Sequence, residues 1–206
     1  SLSLLEETPH PASHFVRSHP LPQGERVDTN HLGGWSMSPA TSVNLAVPRW
    51  AHVPGETAEA DHETLALALA LVPARFEGFV PARHPALRYG LGLNDAGYFW
   101  ESHEILEAVW AAAPQGGRER ILLRACIQIA NANLKLRMQR ANAAARLFSE
   151  ALTELNELGV RKATAGGAGF ADGFPSGALA AQLKLRLTQG PLTEADWLDI
   201  SAAIRP

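Results

Sequence analysis

The segment GYFWESHEILEAVW at residues 97–110 sets one histidine and three glutamates among aromatic and aliphatic residues. On a helix that turns roughly 100° per residue, His103 and Glu107 are i, i+4 neighbours, and Glu104 and Glu107 are i, i+3 neighbours. The three polar side chains therefore converge at the edge of one broad apolar arc. An imidazole next to carboxylates can transfer protons as a general acid or base, and it can also bind a metal ion.

A second set of polar residues lies on the next predicted helix, in ILLRACIQIANANLKLRM at 121–138. This pattern is apolar on nearly every side, which is typical of a buried central helix. Its exceptions follow a single stripe at i, i+4, i+7 and i+11, namely Arg124, Gln128, Asn131 and Lys135. Because buried polar groups need partners, we expect the stripe to face the carboxylates of the first helix, with Lys135 within about 4 Å of Glu104 or Glu107.

The first hypothesis is a small-molecule site between these two helices. His103 would be its general acid or base, Glu107 would orient the imidazole, and Glu104 with Lys135 would form a charged pair at its mouth. Lys135 would also hold an anionic group of the ligand, so this hypothesis predicts a small anion as the partner. The other predicted lining residues are Tyr98, Trp100, Trp110, Arg124, Gln128 and Asn131.

A metal site is the first alternative. H-E-x-x-E presents His103 and Glu107 at the spacing with which one helix can bind a divalent metal ion, although it is not the H-E-x-x-H of zinc proteases. A further ligand would come from an upstream histidine, for which the candidates are His10, His14, His19 and His52. Lys135 would place a positive charge beside the ion, which counts against this alternative. Nothing in the sequence requires a cofactor.

The second alternative is a structural or interaction module. In that case the two polar stripes only fix the register of the helices, and the N-terminal segment binds a partner. A buried ion-pair network is an inefficient way to stabilise a core, because the desolvation of the charges offsets most of their attraction. The sequence alone leaves all three hypotheses open.

Composition excludes several classes of function. The net charge is −3 and the basic residues are scattered, so we expect no nucleic-acid partner. No apolar run reaches the ~18 residues that would span a membrane. Cys126 is the single cysteine, which excludes an internal disulfide framework and a cysteine zinc site and fits a cytoplasmic location. A homo-oligomer is left open.

The elements that position these residues are predicted to be helical. Residues 1–55 hold seven of the fourteen prolines and form an extended, irregular arm that packs on the domain, whereas 56–206 form a helical domain. Helices are predicted before Pro73, over 85–97, 98–113, 118–140, 142–158 and 176–189, and after a capping box at Thr193. The fold class is therefore all-α: a compact single-domain bundle of six or seven helices, with the helix over 118–140 at its centre.

Residues 94–110, NDAGYFWESHEILEAVW, resemble the signature N-x-G-x-Y/F-x-E-A-H-E-x-x-E-x-x-W of domain-of-unknown-function family 309. The residues in register are Asn94, Gly97, Glu101, His103, Glu104, Glu107 and Trp110, and Gln128, Lys135 and Arg137 match polar positions of the family's following helix. The resemblance covers about 85–158 and implies a compact all-helical fold without an established activity. Ser102 replaces the usual alanine, and QRAN at 139–142 lacks the glycine that is often found there.

Overall fold

The structure, a computed structural model, describes residues 44–161 and 169–200. The predictions for residues 1–43, including the metal candidates His10, His14 and His19, lie outside the described residues. The described part contains seven α-helices and no named strand, which confirms the predicted all-α fold of six or seven helices. Their bounds are His62–Ala70 (α1), Pro85–Asp95 (α2), Phe99–Ala112 (α3), Arg118–Arg137 (α4), Ala141–Val160 (α5), Phe170–Gly173 (α6) and Ser176–Thr188 (α7).

The helix α4 lies at the centre of the described fold. It packs against α3 on one side and α5 on the other, while α2 packs on α3 and α7 packs on α5. Ile121, Ile129 and Leu136 are all at most 7% exposed, as the all-round apolar pattern predicts. The prediction of a buried central helix is confirmed, although the helix ends at Arg137, three residues earlier than predicted.

In the connection between α4 and α5, the QRAN segment has a glutamine in a backbone conformation that is usual for glycine. Gln139 has φ of 57°, and it is the non-glycine residue with positive φ in the described part of the chain. A left-handed residue commonly ends a helix and is usually glycine, because a Cβ is strained in this conformation. The Gln139 N–H donates to the Leu136 carbonyl at 2.9 Å. The end of α4 therefore keeps a main-chain hydrogen bond, although glutamine suits this conformation less well than glycine.

The segment over 44–61 lies against the helices that follow it. The Tyr89 hydroxyl of α2 donates to the Ala46 carbonyl at 2.6 Å. The Arg49 guanidinium donates to both oxygens of Asp61 at 2.9 and 3.0 Å, and these bonds hold the pKa of Asp61 below its usual range. The described portion of the predicted arm is therefore anchored by main-chain and side-chain hydrogen bonds.

Two buried asparagine side chains hold the segment after α7 by hydrogen bonds. Asn133 of α4 accepts from the Leu198 N–H and donates to the Leu198 carbonyl, both at 2.9 Å. Asn94 of α2 donates to the same carbonyl at 2.9 Å and accepts from Asn133 at 2.8 Å. The predicted capping box at Thr193 is present, but the predicted helix behind it is wrong: a single 3₁₀ turn, Glu194–Asp196, forms instead. Leu198 cannot continue a helix because Asn133 binds both of its main-chain groups.

Among the described helices, none combines the length and the apolar character that crossing a bilayer requires.

Candidate functional site

The polar edge of α3 brings His103, Glu104 and Glu107 together. The His103 Nδ1 lies 3.3 Å from a Glu104 oxygen, and its Nε2 lies 3.7 Å from a Glu107 oxygen. One ligand atom from each of the three residues can be chosen so that all three lie within 4.8 Å of one another. The side chains are 23%, 36% and 46% exposed, so the cluster lies at the protein surface and solutes can reach it.

Neither glutamate of this cluster pairs with a lysine or arginine of residues 44–161 and 169–200. Within the described part of the chain, the ion pairs of Glu104 and Glu107 closer than 4.0 Å are those with His103. Like charges at i, i+3 repel each other on a helix by a few tenths of a kcal/mol. The cluster therefore carries uncompensated negative charge next to an imidazole, an arrangement that a cation would stabilise.

The prediction that the α4 stripe faces α3 is wrong for Arg124 and Gln128. Arg124 pairs with Glu154 at 2.6 Å, and Gln128 donates to Glu150 at 2.7 Å; both carboxylates belong to α5. Both residues do bind carboxylates, as expected. These carboxylates belong to α5 because α4 packs against α5 as well as against α3. These two residues of the stripe therefore lie on the side of α5. Asn131, the next residue of the stripe, is half-buried.

Lys135 does not form the predicted ion pair with Glu104 or Glu107. No ion pair closer than 4.0 Å joins the Lys135 ammonium to a carboxylate of residues 44–161 or 169–200. Burial and the nearby positive charge of Arg140 lower the pKa of Lys135. The lysine therefore does not form a charged pair with the cluster on α3.

Sequence reasoning missed Glu101 as a buried carboxylate. Glu101 is 0% exposed, and its Oε1 accepts a hydrogen bond of 2.7 Å from the His52 N–H. Its Oε2 has no hydrogen-bond partner in the described structure, and burial raises the pKa of this carboxyl. Two signals were available in the sequence. Glu101 belongs to the family signature, and on the helical wheel it falls beside Ile105, on the apolar arc rather than with His103.

The aromatic residues predicted to line the site lie in different surroundings. The ring of Trp100 contacts His52 and His62 edge-on, with centroids 4.8 and 5.7 Å apart. Trp110, at the other end of α3, lies under the Arg120 guanidinium at 3.8 Å. Tyr98 is half-buried at the residue preceding α3.

His52 is the one upstream metal candidate that the structure describes. Its Nδ1 lies 2.7 Å from the Thr57 hydroxyl, and its ring packs against Trp100. The group of potential ligands on α3 consists of His103, Glu104 and Glu107, and it does not include His52. In the described structure the third potential ligand is therefore Glu104, which the sequence analysis placed at the mouth of a ligand site.

These features define an all-helical protein with a polar H-E-x-x-E face on its third helix. Residues 87–147 match the model of a family described as a domain of unknown function, DUF309, which confirms the resemblance. The match extends from α2 into α5 and includes both polar stripes and Glu101, while it covers less than a third of the chain. No curated protein and no solved structure matches the chain.

Proposed function

We propose that this protein binds a divalent metal ion on α3 through His103, Glu104 and Glu107. The observation that carries the proposal is the convergence of three potential ligand atoms within 4.8 Å. Atoms that bind one ion at about 2.0–2.2 Å lie no more than about 4.4 Å apart. Small rotations of these partly exposed side chains are enough to close such a site.

The type of ligand supports a transition metal. One imidazole nitrogen with two carboxylates suits zinc, manganese or iron, whereas calcium and magnesium prefer oxygen ligands alone. Three protein ligands leave at least one coordination position for water or a small ligand, as in catalytic metal sites. No lysine or arginine in the described part of the chain pairs with Glu104 or Glu107 within 4.0 Å, which also supports a cation as their partner.

The metal proposal replaces the acid–base hypothesis for His103. A ring nitrogen that is coordinated to a metal ion has no free lone pair with which to accept a proton. The acid–base hypothesis also relied on Lys135 at the mouth of the site, and Lys135 forms no ion pair with Glu104 or Glu107. Without a bound metal, the acid–base site at His103 and the structural module are the two alternatives.

The experiment is a titration of untagged protein in metal-depleted buffer with Zn²⁺ and Mn²⁺, followed by isothermal calorimetry. We expect one ion per chain. His103→Ala and Glu107→Gln should each bind the ion at least about tenfold more weakly, because each variant loses a ligand and a tenfold change in Kd needs only ~1.4 kcal/mol of binding free energy. The matched control is His62→Ala, since His62 is an exposed helical histidine outside the cluster. A bound metal should also raise the free energy of unfolding, by about 2.7 kcal/mol at a concentration of 100 times Kd.

Two outcomes would contradict the metal proposal. One is the absence of a stoichiometric site for either ion. The other is equal weakening in His103→Ala and His62→Ala, which would place the metal elsewhere. Circular dichroism of each variant verifies that the helical fold is retained.

A further inference from the structure

A cavity of about 230 Å³ lies where the end of α3, the start of α4 and the end of α5 meet. Its lining includes Trp110, Gly116, Gly117 and three arginines, Arg120, Arg124 and Arg161. Drug-sized ligands occupy pockets of roughly 300–1,000 Å³, so this cavity is of a size for a smaller ligand or for one group of a larger one. Three guanidinium groups around one small cavity are costly unless negative charge balances them.

Arg120 is the guanidinium that lacks a carboxylate partner. Its Nη1 donates to the main-chain carbonyls of Trp110 and Ala113 at 2.9 and 3.3 Å, and its carbon lies 3.8 Å from the Trp110 ring centroid. No ion pair within 4.0 Å joins it to a described carboxylate. A guanidinium has five N–H donors in a planar fork, so Nε and Nη2 remain available for the paired oxygens of a carboxylate or phosphate.

The other two arginines are only partly neutralised by their partners. Arg124 pairs with Glu154 at 2.6 Å, and Arg161 pairs with Glu157, which also lines the cavity. The three arginines and the two glutamates that pair with them thus carry one net positive charge. The ion pairs hold Arg124 and Arg161 in place at the rim of the cavity.

We propose that this cavity binds an oxyanion, a phosphate or carboxylate group of a small ligand, through Arg120 with support from Arg161 and Arg124. The site is separate from the metal cluster and does not depend on it. None of the three residues of the metal cluster lines this cavity.

The test uses ¹⁹F NMR of the full chain with its five tryptophans replaced by 5-fluorotryptophan. The Trp110 resonance is assigned from its disappearance in Trp110→Phe. Inorganic phosphate and succinate are titrated separately in metal-depleted buffer at constant ionic strength, and sodium chloride serves as the reference salt. We expect a saturable shift of the Trp110 resonance with phosphate, succinate or both, which also identifies the preferred oxyanion.

Variants that each remove one positive charge test the role of Arg120. Arg120→Gln and Arg161→Gln should weaken binding at least about tenfold, as the loss of a charge-assisted hydrogen bond implies. Arg146→Gln is the matched control, because Arg146 is exposed on α5 and does not line the cavity. It should leave the affinity unchanged.

Three results would overturn the proposal. The Trp110 resonance could respond to phosphate and succinate no differently from sodium chloride. Affinity could be equal in the parent, Arg120→Gln and Arg161→Gln, or it could fall equally in Arg146→Gln, which would indicate a general charge effect. Metal is absent throughout, so a negative result here leaves the metal proposal intact.

Discussion

Replacement of Asn133 by alanine should cause a large loss of stability. Asn133 is 0% exposed, and its side chain makes three hydrogen bonds, two with Leu198 and one with Asn94. Among the described residues, Asn133 is the side chain of α4 that binds both main-chain groups of one residue in the segment after α7. The change to alanine removes these bonds without adding bulk to the core.

The magnitude of the loss follows from the groups left without partners. The Leu198 N–H and the Asn94 Oδ1 lose their bonds to Asn133, whereas the Leu198 carbonyl keeps its bond of 2.9 Å from Asn94. Each unsatisfied buried polar group costs about 1–3 kcal/mol, so Asn133→Ala should lower the free energy of unfolding by about 2–6 kcal/mol. This is a large fraction of the ~5–15 kcal/mol that stabilises a typical domain.

Urea denaturation followed by far-ultraviolet circular dichroism measures this loss. The matched control is Asn156→Ala, since Asn156 is exposed on α5 and its replacement should be neutral or slightly stabilising. A loss smaller than about 1 kcal/mol for Asn133→Ala, with an unchanged dependence on urea, would refute the reasoning. It would mean that water or local rearrangement satisfies the two groups.

Two further predictions concern Glu101 and Gln139. Burial raises the pKa of Glu101 from 4.5, so the native chain holds the carboxyl proton of Glu101 more tightly than the unfolded chain does. The free energy of unfolding should therefore fall as pH rises above 4.5. Glu101→Gln should reduce this fall in urea titrations at several pH values; an unchanged pH profile would contradict it. Gln139→Gly should raise the melting temperature, because glycine adopts a positive φ without strain. The control Gln182→Gly, at an exposed position within α7, should lower the melting temperature. A lower melting temperature in both variants would refute the argument.

The positions of the helices could be predicted because local signals determine them. Pro85 begins α2, Gly97 follows it with φ of 86°, and Pro114 follows α3. The segment after Thr193 could not be predicted, because Asn133, 65 positions before Leu198, binds the main-chain groups that would continue a helix. Contacts over such a distance leave no periodic pattern in the sequence.

The candidate site was predictable to the extent that one helix forms it. His103, Glu104 and Glu107 converge because of their i, i+1 and i+4 spacing, whatever packs around them. The partners of the α4 stripe depend on whether the stripe lies next to α3 or next to α5. A helical wheel shows only which residues share a face, and not which helix packs against that face. For the same reason the burial of Glu101 beneath His52, 49 positions earlier, was missed.

The contact between His52 and Glu101 shows that the region of sequence similarity forms hydrogen bonds with residues outside it. The family match begins at residue 87, whereas the N–H that binds Glu101 comes from residue 52. A fragment of 87–147 would expose that carboxylate, interrupt α5 and lose the carbonyl that Asn94 binds. Residues 52 and 198 thus supply main-chain groups from outside the matched region to the buried side chains of Glu101 and Asn94.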